Sequence, residues 1–149
     1  MATAIYWDTS ALLKLYAPEP DSEVYRKLLS NHAEQVAISF LHHVELYYAL
    51  SGKEHRSEIA QGGANLLFES FQRHRQEGRF LEIPWGDDVG RHAREALVLC
   101  HAHLPPVMLR SLDGFHLGAI RAAGIRAVVT TDARFRQAAV CLGLDVIGD

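Results

Sequence analysis

Asp8, Glu45, Asp113 and Asp132 are the residues whose type and placing suggest chemistry. Asp8 ends the apolar run "AIYWD" and Asp132 ends "AVVTTD". Each stands where a buried strand gives out and a helical pattern begins. Glu45 lies among apolar residues in "HHVELYYAL", and Asp113 falls in the first turn of the helical segment in "LRSLDGFHLGAI". Each acid also has an ordinary reading: an N-cap for Asp8, capping for Asp113, a solvent-facing side chain for Glu45. Convergence of all four changes the balance, because two unit charges ~4 Å apart at an effective dielectric near 20 repel by about 4 kcal/mol. Bound cations make such a cluster tolerable, and carboxylate oxygens suit Mg²⁺ or Mn²⁺. A carboxylate-held cation can activate a water and steady the leaving oxygen of a phosphodiester. Hydroxyls stand beside the acids: Thr9 and Ser10 after Asp8, Ser111 before Asp113, Thr130 and Thr131 before Asp132. Each can fix a carboxylate rotamer or simply serve its own turn.

The elements that must position these acids alternate in kind. Strand patterns are expected at Ala4–Trp7, Gln35–Ser39, Phe80–Pro84, Arg126–Thr131 and Asp145–Ile147. Helices are expected at Thr9–Ala17, from Ser22 with Val24, Tyr25, Leu28 and Leu29 as its buried stripe, and at His42–Ser51, stopping at Gly52. A long polar-faced segment, Arg56–Glu77, has a possible break at Gly62-Gly63. Further helices run from Asp87 or Asp88 to about His103, from Leu112 to Ala123 and from Ala133 to Leu142. Alternation of this kind means an α/β fold with a mostly parallel sheet, helices on both faces, and ligands bound beyond the carboxyl ends of the strands.

The 149 residues suit a single domain, 1–149, with a core of its own. The apolar fraction of 48% and charged fraction of 22% are those of a globular protein. No apolar run approaches the ~18 residues of a membrane span, and the N-terminus has no signal-peptide pattern, so a cytoplasmic protein is expected. The net charge of −3 excludes a uniformly basic nucleic-acid binder but not a local basic face. Cys100 and Cys141 lie in apolar helical patterns and read as small buried hydrophobes rather than a disulfide framework.

Four segments together resemble the PIN-domain ribonucleases, and within them the VapC-type toxins of toxin–antitoxin pairs: "YWDTSALLKLY", "SFLHHVELYYAL", "RSLDGFHLGAI" and "VVTTDARFRQAAVCLGLDVI". They occur in the family's order and span nearly the whole chain. The resemblance implies a three-layer α/β/α, PIN-like fold whose five-stranded parallel sheet has the order 3-2-1-4-5. It implies that Asp8, Glu45, Asp113 and Asp132 hold Mg²⁺ or Mn²⁺ and carry endoribonuclease chemistry. It also implies an RNA substrate, a homodimer, and silencing by a small cognate antitoxin of the VapB kind. Where many relatives have basic residues near the second acid, this chain has His43 and Tyr48.

An acidic site needs basic residues to steer RNA. The candidates are Lys14, Lys53, Arg56, Arg73, Arg75, Arg110, Arg134 and Arg136. Arg110, three before Asp113, and Arg134, two after Asp132, are best placed for phosphate contact. His42-His43 and His101-x-His103 lack cysteines at ligand spacing, and structural zinc is not expected. His116, one turn after Asp113, reads as a surface or supporting group rather than a general base. Tyr16, Tyr47 and Tyr48 either join the core or line a groove for an antitoxin segment. The competing function is a non-catalytic or regulatory PIN-like α/β binding module. A phospho-receiver would carry an acidic pair after strand one and a lysine after the last strand, and a haloacid-dehalogenase-type phosphatase would carry DxDx[TV]. The chain reads "DTSA" and "VIGD".

Overall fold

In the computed structural model, residues 3–148 are described. Five parallel strands form one sheet: β1 (Ala4–Trp7), β2 (Gln35–Ser39), β3 (Phe80–Ile83), β4 (Ala127–Val129) and β5 (Asp145–Val146). Their order is β3-β2-β1-β4-β5. β1 is central, with Ile5 beside Val36 on one side and Ala127 on the other. The chain moves outward from β1 in both directions, so the strand order reverses between β1 and β4. That is the switch point at which such sheets bind ligands.

Among the described residues, seven helices connect the strands: α1 (Thr9–Tyr16), α2 (Ser22–Asn31), α3 (His42–His55), α4 (Gly63–Gln76), α5 (Asp87–Ala102), α6 (Ser111–Ala122) and α7 (Ala133–Cys141). Side chains alternate across each strand and build two cores. Ile5, Trp7, Val36, Ile38 and Val129 pack with Leu12, Leu46, Leu50 and Phe71 of α1, α3 and α4. Tyr6, Ala37 and Val128 face the other way, onto Val89, Leu117, Ile120 and Phe135 of α5, α6 and α7. Gly118 lets α5 and α6 approach closely: a Cβ there would sit 2.5 Å from the Val89 carbonyl oxygen.

Several expectations need correction. α3 passes through Gly52 to His55. Gly costs a helix only about 1 kcal/mol, which the buried Leu46 and Leu50 offset. α4 begins only at Gly63, after a turn in which Ser57 and Gly62 take positive φ. Val24 and Leu29, expected in the buried stripe of α2, are exposed. Ser22 is the first residue of α2, and its hydroxyl accepts from Glu19 N–H and donates to the Ala17 carbonyl. Cys100 and Cys141 are unbridged, the first buried and the second partly so. No helix among the described residues is long and apolar enough to cross a membrane.

Candidate active site

All four acids stand at helix N-termini along the carboxyl edge of the sheet. Asp8 caps α1, Asp132 caps α7, and Glu45 and Asp113 lie in the first turns of α3 and α6. The capping reading and the chemical one therefore coincide: each helix start offers unpaired N–H groups and the positive end of a dipole to an acid that repels its neighbours.

Asp8 is only 5% exposed. Its Oδ1 accepts from Ser10 Oγ at 2.7 Å and from Ala11 N–H at 2.9 Å, and its Oδ2 accepts from Thr130 Oγ1 at 2.5 Å. Burial drives this carboxyl above its ordinary value, against the pull of Thr130, Ser10 and Ala11 N–H. Thr130 also ties β4 to the site by accepting from Asp132 N–H, and Ser10 Oγ accepts from Thr131 N–H. Asp132 Oδ1 accepts from the N–H groups of Arg134 and Phe135. The guanidinium of Arg110 bridges the remaining pair, 3.4 Å from Asp113 Oδ2 and 3.5 Å from Asp132 Oδ2.

Glu45 is held from below. Its Oε1 accepts from Thr9 Oγ1 at 2.8 Å and lies 2.5 Å from His116 Nε2. A carboxylate oxygen only accepts, so Nε2 carries the proton of that bond. On the far side of the ring, His116 Nδ1 is 2.5 Å from the Tyr6 hydroxyl, which also bonds Ser39 Oγ at 3.0 Å. Burial raises the carboxyl of Glu45, but the bonds from His116 and Thr9 outweigh it, and the net effect is below the ordinary value. Two neighbouring acids are thus pushed in opposite directions, Asp8 up by burial and Glu45 down by its partners. Tyr6, burial-raised, remains a neutral phenol.

His42 completes this buried polar layer. Its Nδ1 accepts from Ser39 N–H at 3.0 Å and its Nε2 donates to the Trp7 carbonyl at 2.6 Å, joining the ends of β2 and β1 beside Asp8. Tyr6 and Ser39 were not among the residues singled out by sequence, and His42 was weighed there only as a zinc ligand. The available signal was Tyr6, a hydroxyl inside an otherwise apolar strand.

Of the supporting hydroxyls, Thr9, Ser10 and Thr130 reach carboxylates, whereas among the described residues those of Ser111 and Thr131 reach none of the four. Arg110 faces the acids, while Arg134 contributes its backbone N–H. Lys14 and Lys53 are not free to steer RNA. Both are largely buried and paired, Lys14 with Glu19 and with Asp21 at 2.8 Å, and Lys53 with Glu19 at 2.8 Å. Arg56 pairs with Glu58, Arg73 bonds Ser70, Arg75 pairs with Glu82, and Arg136 donates to the Gly148 carbonyl. Tyr16 turns inward against Phe71 and His74, while Tyr47 and Tyr48 stay on the surface.

The donor set is oxygen-rich and fits a hard divalent cation. Asp8 is a buried carboxylate with no cationic ion-pair partner among the described residues. Glu45 Oε2 and Asp113 Oδ1 have no hydrogen-bond partner among them. As the side chains stand, no three His, Cys, Asp or Glu residues among those described are gathered closely enough to hold a metal.

A parallel α/β sheet with four acids at helix N-termini along its carboxyl edge is the class defined by this fold and site. The chain belongs to the PIN domain family, which it matches over residues 5–140. It is 31% identical to ribonuclease VapC46 of Mycobacterium tuberculosis over 146 residues, covering 97% of this chain and 96% of that one. Among solved structures, it is similar in fold to VapC20 of Mycobacterium tuberculosis, a sarcin–ricin loop cleaving toxin, with TM-score 0.65, 19% identity, and 90% and 94% of the two chains covered. VapBC2 of Rickettsia felis, bound to a DNA fragment from its promoter, aligns with TM-score 0.66 and 15% identity over 97% of each chain. FitAB bound to the IR36 DNA fragment aligns with TM-score 0.68 and 20% identity over 96% and 93%.

Proposed function

We propose that this chain is a Mg²⁺- or Mn²⁺-dependent endoribonuclease, the toxin of a toxin–antitoxin pair, working as a homodimer and silenced by a small VapB-like partner. The observation that carries this reading is Asp8: a buried carboxylate with no cationic partner among the described residues, on the same sheet edge as Glu45, Asp113 and Asp132, with all four at helix N-termini. Its support from relatives is the ribonuclease VapC46 at 31% identity. The toxin–antitoxin assignment draws on the VapBC2 and FitAB complexes, whose chains share this fold.

Asp8, Glu45, Asp113 and Asp132 would hold the cation. The chemistry it supplies when bound is Lewis-acid polarisation of the phosphodiester and a more acidic water. In the reaction, the oxygen of a water bonds to phosphorus, the P–O ester bond breaks, and the leaving oxygen takes up a proton. Thr130, Ser10 and the Ala11 N–H keep Asp8 in one rotamer; Thr9 and His116 occupy Glu45 Oε1 and turn Oε2 outward. Arg110 is positioned to exchange its carboxylate contacts for a phosphate, and Arg134 stands beside it at the start of α7.

The test is 5′-end mapping of total cellular RNA treated with the purified chain, with Mg²⁺, with Mn²⁺ and with chelator, alongside Asp113→Asn. Discrete metal-dependent ends that vanish in the variant are expected. The same ends in variant and wild type, or ends that persist in chelator, would overturn the reading.

A further inference from the structure

A cleft of about 660 Å³ opens beside the acids, within the ~300–1,000 Å³ of small-molecule sites. Its lining includes Trp85, Gly90, Arg94, Leu97 and Phe115, and it reaches the acidic site through Arg110. Trp85 follows β3 and is 52% exposed, yet it is fixed in place. T-shaped ring contacts hold it against Phe40 at 5.3 Å and Phe115 at 5.5 Å. Gly90, on the first turns of α5, leaves the floor bare: a Cβ there would lie 3.7 Å from both the Trp85 indole and Arg94 Nη1. An aromatic face and a guanidinium therefore flank the same small space.

We propose that this cleft receives an unpaired nucleobase of the RNA strand, one adjoining the phosphate that lies over the acids. The proposal rests on the ribonuclease reading for its strand and deepens it by naming a base subsite. Three features favour a base over a peptide or a second copy of the chain. A rigid, half-exposed indole is a stacking platform for any heterocycle. Arg94 and Arg110 both line the cleft and put positive charge there, which an anionic strand approaching an otherwise acidic edge needs. Arg110 also belongs to both sites, so a strand with its phosphate there lays its neighbouring base toward Trp85. Asp87, also in the lining, is an acceptor for exocyclic base amines.

The test uses the full chain carrying Asp113→Asn, so that RNA is not cut, in Mg²⁺ at low salt. It follows indole emission on titration with a ten-nucleotide adenylate RNA or an abasic ribose–phosphate decamer. Trp7 is buried, so a quench of exposed indole emission reports Trp85. The adenylate RNA should quench it and the abasic decamer should not. With variant affinities read by the anisotropy of 5′-dye-labelled RNA, since Trp85→Ala lacks the emitting indole, Trp85→Ala, and Gly90→Leu, which fills the floor without changing charge, should weaken adenylate binding about 5- to 150-fold, the range for loss of one base–aromatic stack. Neither should change the affinity of the abasic decamer. Because Trp85 packs on Phe40 and Phe115, the exposed Arg94→Gln is the second variant. It should weaken binding and reduce the slope of log affinity against log salt by about 1.

Equal quenching by the abasic decamer, or unchanged affinity in Trp85→Ala and Gly90→Leu, would overturn the subsite. So would emission that follows protein concentration and not RNA, which would assign the face to a second copy. End mapping separates the two readings. Metal-dependent ends from a wild-type chain whose cleft variants bind normally would leave the nuclease standing and remove the subsite. Base-dependent quenching with no metal-dependent ends from the wild type would do the reverse.

Discussion

His116 shows how a single side chain can set up chemistry it does not perform. It is 3% exposed and spans from the Tyr6 hydroxyl to Glu45, so it dictates which oxygen Glu45 turns outward. His116→Leu should reduce Mg²⁺-dependent cleavage about 10- to 100-fold, the usual cost of losing a group that orients a ligand. It should also weaken Mg²⁺ binding in a calorimetric titration, whereas unaltered affinity would reduce His116 to a packing residue. The four acids were legible in the sequence because a charge at the tip of an apolar strand, or in the first turn of an apolar helix, breaks a local pattern. The layer beneath them was not, because the bonds of Tyr6, His42 and His116 join residues 33 to 110 positions apart. Lys14 and Lys53 were misleading for the same reason: their partner Glu19 lies in a loop, and spacing alone does not show that it turns back onto them.

At the scale of elements, the edge of the sheet depends on His42, which joins the end of β2 to the end of β1. Burial and the neighbouring His116 push its imidazole from the ordinary 6.5 down to about 3. The ring therefore folds neutral, accepting at one nitrogen and donating at the other. Its folded pKa lies below its unfolded one, so the native state binds fewer protons. Its contribution to stability is complete above pH 6.5 and falls as pH drops toward 3, with a slope of about 1.4 kcal/mol per pH unit. Between pH 7 and pH 5, urea unfolding should show the wild type losing ~2 kcal/mol more than His42→Gln. Parallel losses in the two proteins would remove His42 from the account. The pairing of α5 with α6 depends on Gly118 in a different way. Gly118→Ala should force the helices apart and cost about 1–3 kcal/mol in the same assay; an unchanged midpoint would show that α5 yields freely. β1 and β2 were readable to the residue because their apolar runs end at Asp8 and at the "FLHH" turn. Helix ends were less so, since Gly52 stops a helix only when nothing downstream is buried and Lys53 is anchored by its ion pair.

For the whole molecule, the burial of Asp8 sets stability against activity. Asp8→Asn removes a buried charge that has hydrogen bonds but no cationic partner among the described residues, and should stabilise the cation-free protein by ~1 kcal/mol. Mg²⁺ at a hundred times its Kd should stabilise the wild type by ~2.7 kcal/mol and the variant far less. Calorimetric melts with Mg²⁺ and with chelator measure both, and equal Mg²⁺ increments in the two proteins would place the cation elsewhere. The strand order has a consequence for how the chain is made. Asp8 and Glu45 leave the ribosome early, but β1 is flanked on one side by β4, and Asp8 N–H bonds the Val129 carbonyl. A nascent chain that stops short of residue 127 has neither that pairing nor Thr130 and Asp132. Translation order therefore sets when the carboxyl edge can assemble: its last acid, Asp132, emerges after 131 residues have already left the ribosome.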